Sequence, residues 1–142
     1  MKINFLSYNL ILMTIFTLAK VEAFETSSTV WKLLRNGRCF VDEFLEEVKK
    51  DKNVRQEWLE MMATIHDAAS GKLLPQKRFK KLTLAKSFTF QAYEVKSFSL
   101  RLYMITEHKT GKILVCGGRK KTQIKDVERL KRIIKEYSHF KN

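Results

Sequence analysis

The residues best suited to chemistry in this sequence are cations, and Arg101 is the one whose position is easiest to interpret. It belongs to the segment 99–105, in which alternate positions are apolar, as in a half-buried strand. This alternation puts Arg101 on the side opposite to Leu100, Leu102 and Met104. Because a guanidinium stays charged and can hold two oxygens in one plane, we expect Arg101 to bind a phosphate group.

The reaction that such cations suit is cleavage of RNA by its own 2′-hydroxyl group. That reaction needs a base for the hydroxyl, cations around the growing charge of the phosphorane and an acid for the departing 5′-oxygen. The sequence shows no paired carboxylates, no nucleophile elbow and no glycine-rich phosphate loop, which disfavours most hydrolase and kinase chemistry. Its three histidines and two cysteines lack the spacing of metal ligands, so we expect neither a metal nor a small-molecule cofactor.

The positive charge of the chain is concentrated in its second half. Residues 1–70 contain nine Lys and Arg against ten Asp and Glu, whereas residues 71–142 contain nineteen against five. A surface of this kind favours a polyanion, whose condensed counterions are released on binding. A solvated basic face and an acidic protein partner are alternative interpretations. The cations that we assign to RNA binding are Arg78, Lys80, Lys86, Arg119, Lys120 and Lys121.

A β-hairpin is predicted to position these cations. The strand over 99–105 is followed by turn residues, among which Gly111 is free to take a positive φ. A second apolar run over 113–116 returns along the first strand and ends at two glycines. A strand over 88–93 is expected to pair with the first strand. The hairpin therefore brings the basic residues that follow it to one end of the domain.

Residues 26–70 are predicted to be helical. The polar run 26–29 offers N-caps for a turn or short helix over 30–34, which Gly37 ends. A helix from Val41 buries one face, and Asp51 caps a second helix that forms a hairpin with it. The apolar side of the second helix contains Val54, Trp58, Met61, Met62 and Ile65, with Trp58 expected to pack against the sheet.

The predicted architecture is a single α+β domain. An N-terminal helical hairpin packs on one face of an antiparallel β-sheet, and a C-terminal helix beginning near Lys125 or Asp126 lies at the edge of the sheet. The buried face of that last helix contains Val127, Leu130, Ile133, Ile134 and Tyr137.

The first residues allow two interpretations, which imply different compartments. A basic start, an apolar run over 10–19 and Val21-Glu22-Ala23 have the outline of a secretory signal over residues 1–23. The alternative, which we favour, is an extension over residues 1–12 and a domain over residues 13–142 with a first strand over 15–21. The apolar run is too short to span a membrane. We therefore expect a cytoplasmic protein with Cys39 and Cys116 as free thiols, or a secreted one if residues 1–23 are a signal.

The order and spacing of several segments resemble toxins of the RelE/HigB type, in the RelE/ParE superfamily. The resemblance extends from about Phe40 to Tyr137. Its motifs are Gly37-Arg38 ahead of the helical Phe44-Leu45-Glu46-Glu47-Val48, Lys80-Lys81-Leu82 before a strand with Tyr93-Glu94-Val95, the strand Arg101-Leu102-Tyr103, and Lys120-Lys121-Thr122-Gln123 before a basic amphipathic helix.

The resemblance implies a RelE-like fold and the toxin of a type II toxin–antitoxin system, a metal-independent endoribonuclease (mRNA interferase) that cuts mRNA at the ribosome and inhibits translation. It implies an RNA-facing Arg101, a base at Lys81 or Lys80, stacking or proton transfer by Tyr137, and a further acid or base at His139. The expected partners are a cognate antitoxin, mRNA and ribosomal RNA. Two alternatives stay open: a ParE-like inhibitor of DNA gyrase with the same fold, and a secreted cationic binding protein.

Overall fold

The computed structural model describes residues 14–141, which are built around a six-stranded β-sheet. The strands are β1 (Phe16–Lys20), β2 (Val30–Arg35), β3 (Phe79–Leu82), β4 (Gln91–Lys96), β5 (Leu100–Glu107) and β6 (Gly111–Arg119). Their order across the sheet is β1-β2-β6-β5-β4-β3. Neighbouring strands are antiparallel except β2 and β6, which are parallel, so the predicted antiparallel sheet is in fact mixed.

Within the same residues the chain forms three α-helices and two short 3-10 segments. The helices are α1 (Phe40–Lys49), α2 (Arg55–Ala69) and α3 (Gln123–Lys141), and the 3-10 segments are Lys52–Val54 and Lys120–Thr122. The predicted α+β class and single domain are confirmed. The helical hairpin of α1 and α2 is not N-terminal, because β1 and β2 precede it. None of these helices is long and apolar enough to cross a membrane.

The sheet has an apolar core on each face. The core under α1 and α2 includes Phe44, Val48, Met61, Ile65, Leu102, Met104 and Leu114. The core under α3 includes Tyr103, Ile105, Val115, Leu130, Ile133 and Ile134. The prediction that the last helix lies at the sheet edge is therefore wrong. It covers the second face, because both faces of the central strands β5 and β6 are apolar and both need a helix to exclude water.

Strand β2 occupies a segment that was predicted to be a turn or short helix. One of the expected capping hydroxyls, that of Ser27, donates to the carbonyl of Ala69 at the end of α2, and the backbone amide of Ser28 donates to the same carbonyl. The segment Val30–Arg35 is therefore a strand, which pairs with β1 on one side and with β6 on the other. The predicted first strand over 15–21 is confirmed as β1, whereas the predicted extension over residues 1–12 lies outside the described residues.

The hairpin of β5 and β6 forms where the sequence predicted it. Gly111 adopts a φ of +118°, and a Cβ there would lie 2.5 Å from the Thr29 carbonyl oxygen, so the position needs glycine. The strand expected over 88–93 begins later, as β4 at Gln91, and pairs with β5 as predicted. Trp58, expected to pack on the sheet, is partly buried with its ring centroid 6.1 Å from that of Phe44 in α1.

Candidate nucleic-acid interface

One end of the sheet gathers cations from three segments of the chain around the 97–99 turn, which joins β4 to β5. The amide of Lys96 donates to the carbonyl of Arg78 at 2.8 Å, which holds the residue before β3 beside the end of β4. On the other side, the amide of Lys120 donates to the carbonyl of Ser99 at 2.8 Å. We call the group Arg78, Lys96, Arg119, Lys120 and Lys121 the basic end.

Two glycines at the end of β6, just before the basic segment, let neighbouring side chains pack directly on the strand. A Cβ at Gly118 would lie 1.9 Å from Oδ2 of Asp126, and a Cβ at Gly117 would lie 2.3 Å from the ring of Phe44. The hydroxyl of Thr122 donates to the same Asp126 carboxylate at 2.6 Å, which ties the 3-10 segment to the first turn of α3. The glycines therefore allow α1 and the first turn of α3 to pack closely on the end of β6.

The 97–99 turn is held by the carboxylate of Glu57 in α2. Oε1 accepts hydrogen bonds from the Ser97 hydroxyl and the Ser99 amide, both at 2.6 Å, and Oε2 accepts one from the Ser99 hydroxyl at 2.6 Å. The amide of Leu100 also donates to Oε1 at 3.3 Å. Burial of the carboxylate acts to raise the pKa of Glu57, but these hydrogen bonds outweigh burial and hold the pKa below its ordinary value.

Arg101 lies directly beneath this turn. It is on the side of the sheet opposite to Leu102 and Met104, as the strand pattern predicted, but α3 covers that side and leaves Arg101 only 5% exposed. Its Nη1 donates to the carbonyl of Ser97 at 2.6 Å and to that of Leu100 at 2.9 Å. The guanidinium therefore ties the turn to the sheet from inside the domain.

A buried carboxylate accompanies Arg101. Oε1 of Glu94, a residue that is 1% exposed, lies 3.9 Å from Nε of Arg101. Its Oε2 accepts a hydrogen bond from the amide of the Gln123 side chain at 2.7 Å, at the first residue of α3. Burial, together with the negative charge of Glu94, raises the pKa of Tyr103, so that phenol stays protonated.

The predicted RNA-binding residues differ in their exposure and in whether a carboxylate already lies near their charge. Lys120 and Lys121 are exposed. Arg119 lies 3.7 Å from the Asp51 carboxylate, and Arg78 lies 3.9 Å from that of Asp67 while donating to the Thr64 hydroxyl at 2.9 Å. The two lysines are therefore the cations of the basic end most available to an incoming phosphate.

The basic pair of β3 is divided between the two faces of the sheet. Lys80 pairs across the strands with Glu94, which lies on the α3 side together with Arg101. Lys81 pairs with Tyr93, whose ring packs into the core under α1 and α2. Of the two lysines, Lys80 is thus the one that shares a face with Arg101. Lys86 lies in the connection from β3 to β4.

The two other predicted catalytic residues lie at the opposite end of the sheet. Tyr137 follows Gln123 by fourteen residues of α3, or about 21 Å of helix. It is 4% exposed, contacts Phe16 at a ring-centroid distance of 5.5 Å and donates to Glu107 at 3.3 Å. Burial and the charge of Glu107 raise its pKa. His139 is exposed on the last turn of α3, so the structure does not bring the four catalytic candidates together.

The sequence interpretation did not select Phe98, Lys96 or Glu57. Phe98 is 86% exposed at the tip of the 97–99 turn, and it lines one groove with Lys77, Arg78 and Lys96 and another with Ser99 and the residues Arg119, Lys120 and Lys121. The signal in the sequence is an aromatic residue between two serines, two positions after a lysine and at the point where the strand alternation stops.

The cysteines are free and buried, and burial raises the pKa of the Cys116 thiol to about 11. Among residues 14–141 no group of three His, Cys, Asp or Glu side chains is placed to hold a metal ion. Comparison of the chain with family models, curated proteins and solved structures finds no match.

Proposed function

We propose that this chain is a cytoplasmic toxin of the RelE/HigB type that binds RNA and cleaves mRNA at the ribosome without a metal ion. The observation that supports the proposal best is the basic end, where cations from three segments surround one rigid turn. Single-stranded RNA offers a phosphate at every residue, so a set of cations around a fixed point matches its chemistry. The reaction class itself is supported by the resemblance of the sequence to these toxins.

The cleavage that we propose uses the RNA as its own nucleophile. A base takes the proton of a 2′-hydroxyl, the resulting oxygen attacks the neighbouring phosphorus, and the bond to the 5′-oxygen breaks. That oxygen leaves with a proton, and the products are a 2′,3′-cyclic phosphate and a 5′-hydroxyl. The cations of the basic end stabilise the charge that grows on the phosphorane.

The positions of the lysines favour one assignment of roles. Lys80 lies on the face that carries Arg101, so we assign it the role of base, with its neutral amine as the form that accepts the proton. The exposed ammonium groups of Lys120 and Lys121 bind the phosphates and stabilise the phosphorane, and the departing oxygen takes its proton from water. Because Arg101 is 5% exposed and bonded to the carbonyls of Ser97 and Leu100, we assign it a positioning role beneath the turn.

The partner of the proposed toxin is an antitoxin with an acidic segment that covers the basic end. The uneven charge of the chain supports this, since residues 71–142 contain nineteen cations against five acids. An acidic segment bound there would block RNA because both ligands need the same cations.

The test is induced expression in a bacterial host, with growth and mRNA integrity as the readouts. The wild-type chain is compared with Lys120→Ala/Lys121→Ala and with a matched control, Lys20→Ala/Lys109→Ala. The control removes the same charge from exposed lysines at the end of β1 and in the turn between β5 and β6, both away from the basic end.

We expect growth arrest with transcripts cut inside coding regions for the wild type and the control, and normal growth for the double variant of the basic end. Arrest with intact mRNA and an induced DNA-damage response would instead support the ParE-like inhibition of gyrase. Normal growth of cells that accumulate folded wild-type chain would contradict a toxin.

A further inference from the structure

We propose that Phe98 is a stacking platform for an unpaired base of the bound RNA. The inference rests on the proposed function, because it states how the same surface would hold its substrate. Phe98 is a large apolar side chain that is 86% exposed, and it lies between the cations of the basic end. An exposed aromatic ring can stack on a ligand with a flat aromatic face.

Cations lie on both sides of the ring. The groove on one side is lined by Phe98 with three cations, Lys77, Arg78 and Lys96, and one acid, Glu60. The groove on the other side is lined by Phe98 with Arg119, Lys120 and Lys121. A nucleotide in a single strand has the same arrangement, with a base between two phosphates. The ring and its cationic flanks therefore match a strand that crosses the turn with one base on Phe98 and a phosphate in each groove.

The ring is presented by a turn that is already ordered. Its two flanking serines are both bonded to the carboxylate of Glu57, and Arg101 bonds the carbonyls of Ser97 and Leu100 from below. Because the backbone on each side of Phe98 is fixed, stacking costs little further conformational entropy.

The surroundings of Phe98 favour a nucleic acid over an apolar protein surface. Apart from Phe98 itself, the residues that line its two grooves are polar or charged except Ala63. A protein partner that docks through hydrophobic contact needs a contiguous apolar patch, which a single ring among lysines does not provide. A nucleotide offers an aromatic base with a face of about the size of the ring and carries its negative charge on the neighbouring phosphate.

The experiment measures binding of the full chain to a short fluorescent oligouridine made of 2′-O-methyl residues, which lack the attacking hydroxyl and so are not cleaved. A second probe has the same backbone but abasic sugars at its centre. The variants are Phe98→Ala, Phe98→Leu, Phe98→Tyr and Phe98→Trp. The control is Leu73→Ala, which removes another fully exposed apolar side chain from the loop before β3.

If Phe98 stacks on a base, Phe98→Ala and Phe98→Leu weaken binding to the base-bearing probe by roughly 5- to 150-fold, the range given by alanine substitution of stacked aromatics. Phe98→Tyr and Phe98→Trp bind like the wild type, and Leu73→Ala has no effect. On the abasic probe, Phe98→Ala binds as well as the wild type does.

Two results would overturn the stacking role. One is unchanged RNA affinity in Phe98→Ala, and the other is wild-type affinity in Phe98→Leu, which would indicate plain apolar contact of the kind a protein partner makes. Lys120→Ala/Lys121→Ala, measured beside them, separates the two proposals. If it weakens binding while Phe98→Ala does not, RNA binding stands and only the stacking role fails. If the wild-type chain binds neither probe, the proposed function fails with it.

Discussion

Arg101 and Glu94 form an ion pair that is almost entirely removed from water. Arg101 is 5% exposed and Glu94 is 1% exposed, and the closest approach between their charged groups is 3.9 Å. A charge buried in this way is tolerated only while its partner is present, since an unpaired buried charge costs several kcal/mol. Truncation of either residue is therefore expected to lower the stability of the fold, whatever its effect on ligand binding.

We expect Arg101→Ala to lower the free energy of unfolding by about 3–5 kcal/mol, because it leaves the Glu94 carboxylate buried without a counter-charge. The measurement is equilibrium unfolding in urea. The double variant Glu94→Gln/Arg101→Ala removes both charges and should recover part of the loss. A single variant as stable as the wild type would show that the contact between Arg101 and Glu94 does not stabilise the fold. Loss of toxicity in Arg101→Ala has meaning only beside this measurement.

Glu57 is a second residue whose charge has a structural consequence. Its pKa is lowered in the folded state, so the ionised carboxylate stabilises the fold above its ordinary pKa of 4.5, and this contribution is lost as the pH falls through the lowered pKa. Glu57→Gln keeps the size of the side chain but not the charge. We expect it to reduce the free energy of unfolding by about 1.5–3 kcal/mol near neutral pH, as for a hydrogen bond to a charged group.

The pH dependence distinguishes this role from a general packing effect. The difference between wild type and Glu57→Gln should stay constant above pH 4.5 and shrink below it, because protonation of Glu57 makes the two proteins alike. Unfolding curves from pH 3 to pH 8 give the difference at each pH, with the ordinary range of carboxyl titration falling inside that window. A difference that is the same at every pH would contradict a contribution from the charge.

At the scale of elements, the sequence predicted the strands and helices that are determined by the local spacing of apolar residues. The hairpin of β5 and β6, strand β1 and the helices α1 to α3 all follow from the spacing of their apolar residues. β2 could not be predicted in this way. The Ser27 hydroxyl, just before β2, forms its hydrogen bond with the end of α2, about forty residues later in the chain. The parallel pairing of β2 with β6 joins segments that are separated by more than half of the chain.

The same limit applies to the candidate site. The alternation of β5 was enough to predict which way Arg101 points, but not that α3 would cover it, because no local signal says on which face a terminal helix packs. The division of Lys80 from Lys81 follows from the register of β3 and β4, which depends on pairing between separate segments. The position of Phe98 is fixed by Glu57, forty residues earlier in the chain.

The packing of α1 on β6 makes a prediction about Gly117. Its added Cβ would lie 2.3 Å from the ring of Phe44, which is 6% exposed and held in the core. We expect Gly117→Ala to destabilise the protein by about 1–3 kcal/mol through overpacking, measured by thermal unfolding. Phe44→Leu makes room for the methyl group, so the combined variant should be less destabilised than the sum of the two single variants. A strictly additive result would mean that the two side chains do not meet.

At the scale of the whole molecule, the formal net charge of +13 does not by itself define a binding site. Any protein of this charge attracts RNA at low salt, and the attraction weakens as salt rises. What distinguishes a site from a general attraction is whether equal changes of net charge at different places have equal effects. The structure allows this comparison, because exposed lysines lie both at the basic end and away from it.

We therefore expect Lys120→Ala/Lys121→Ala and Lys20→Ala/Lys109→Ala to differ although each removes two charges. For a site at the basic end, the first variant loses two phosphate contacts, so the slope of log affinity against log salt concentration for single-stranded RNA should fall in magnitude by about 1.4. The second variant should keep the wild-type slope, because its lysines lie at the edge strand β1 and in the turn between β5 and β6. Fluorescence anisotropy over a range of salt concentrations measures both slopes. If the two variants lose the same amount, RNA is bound by the diffuse field of the whole protein, and the basic end has no special part in binding it.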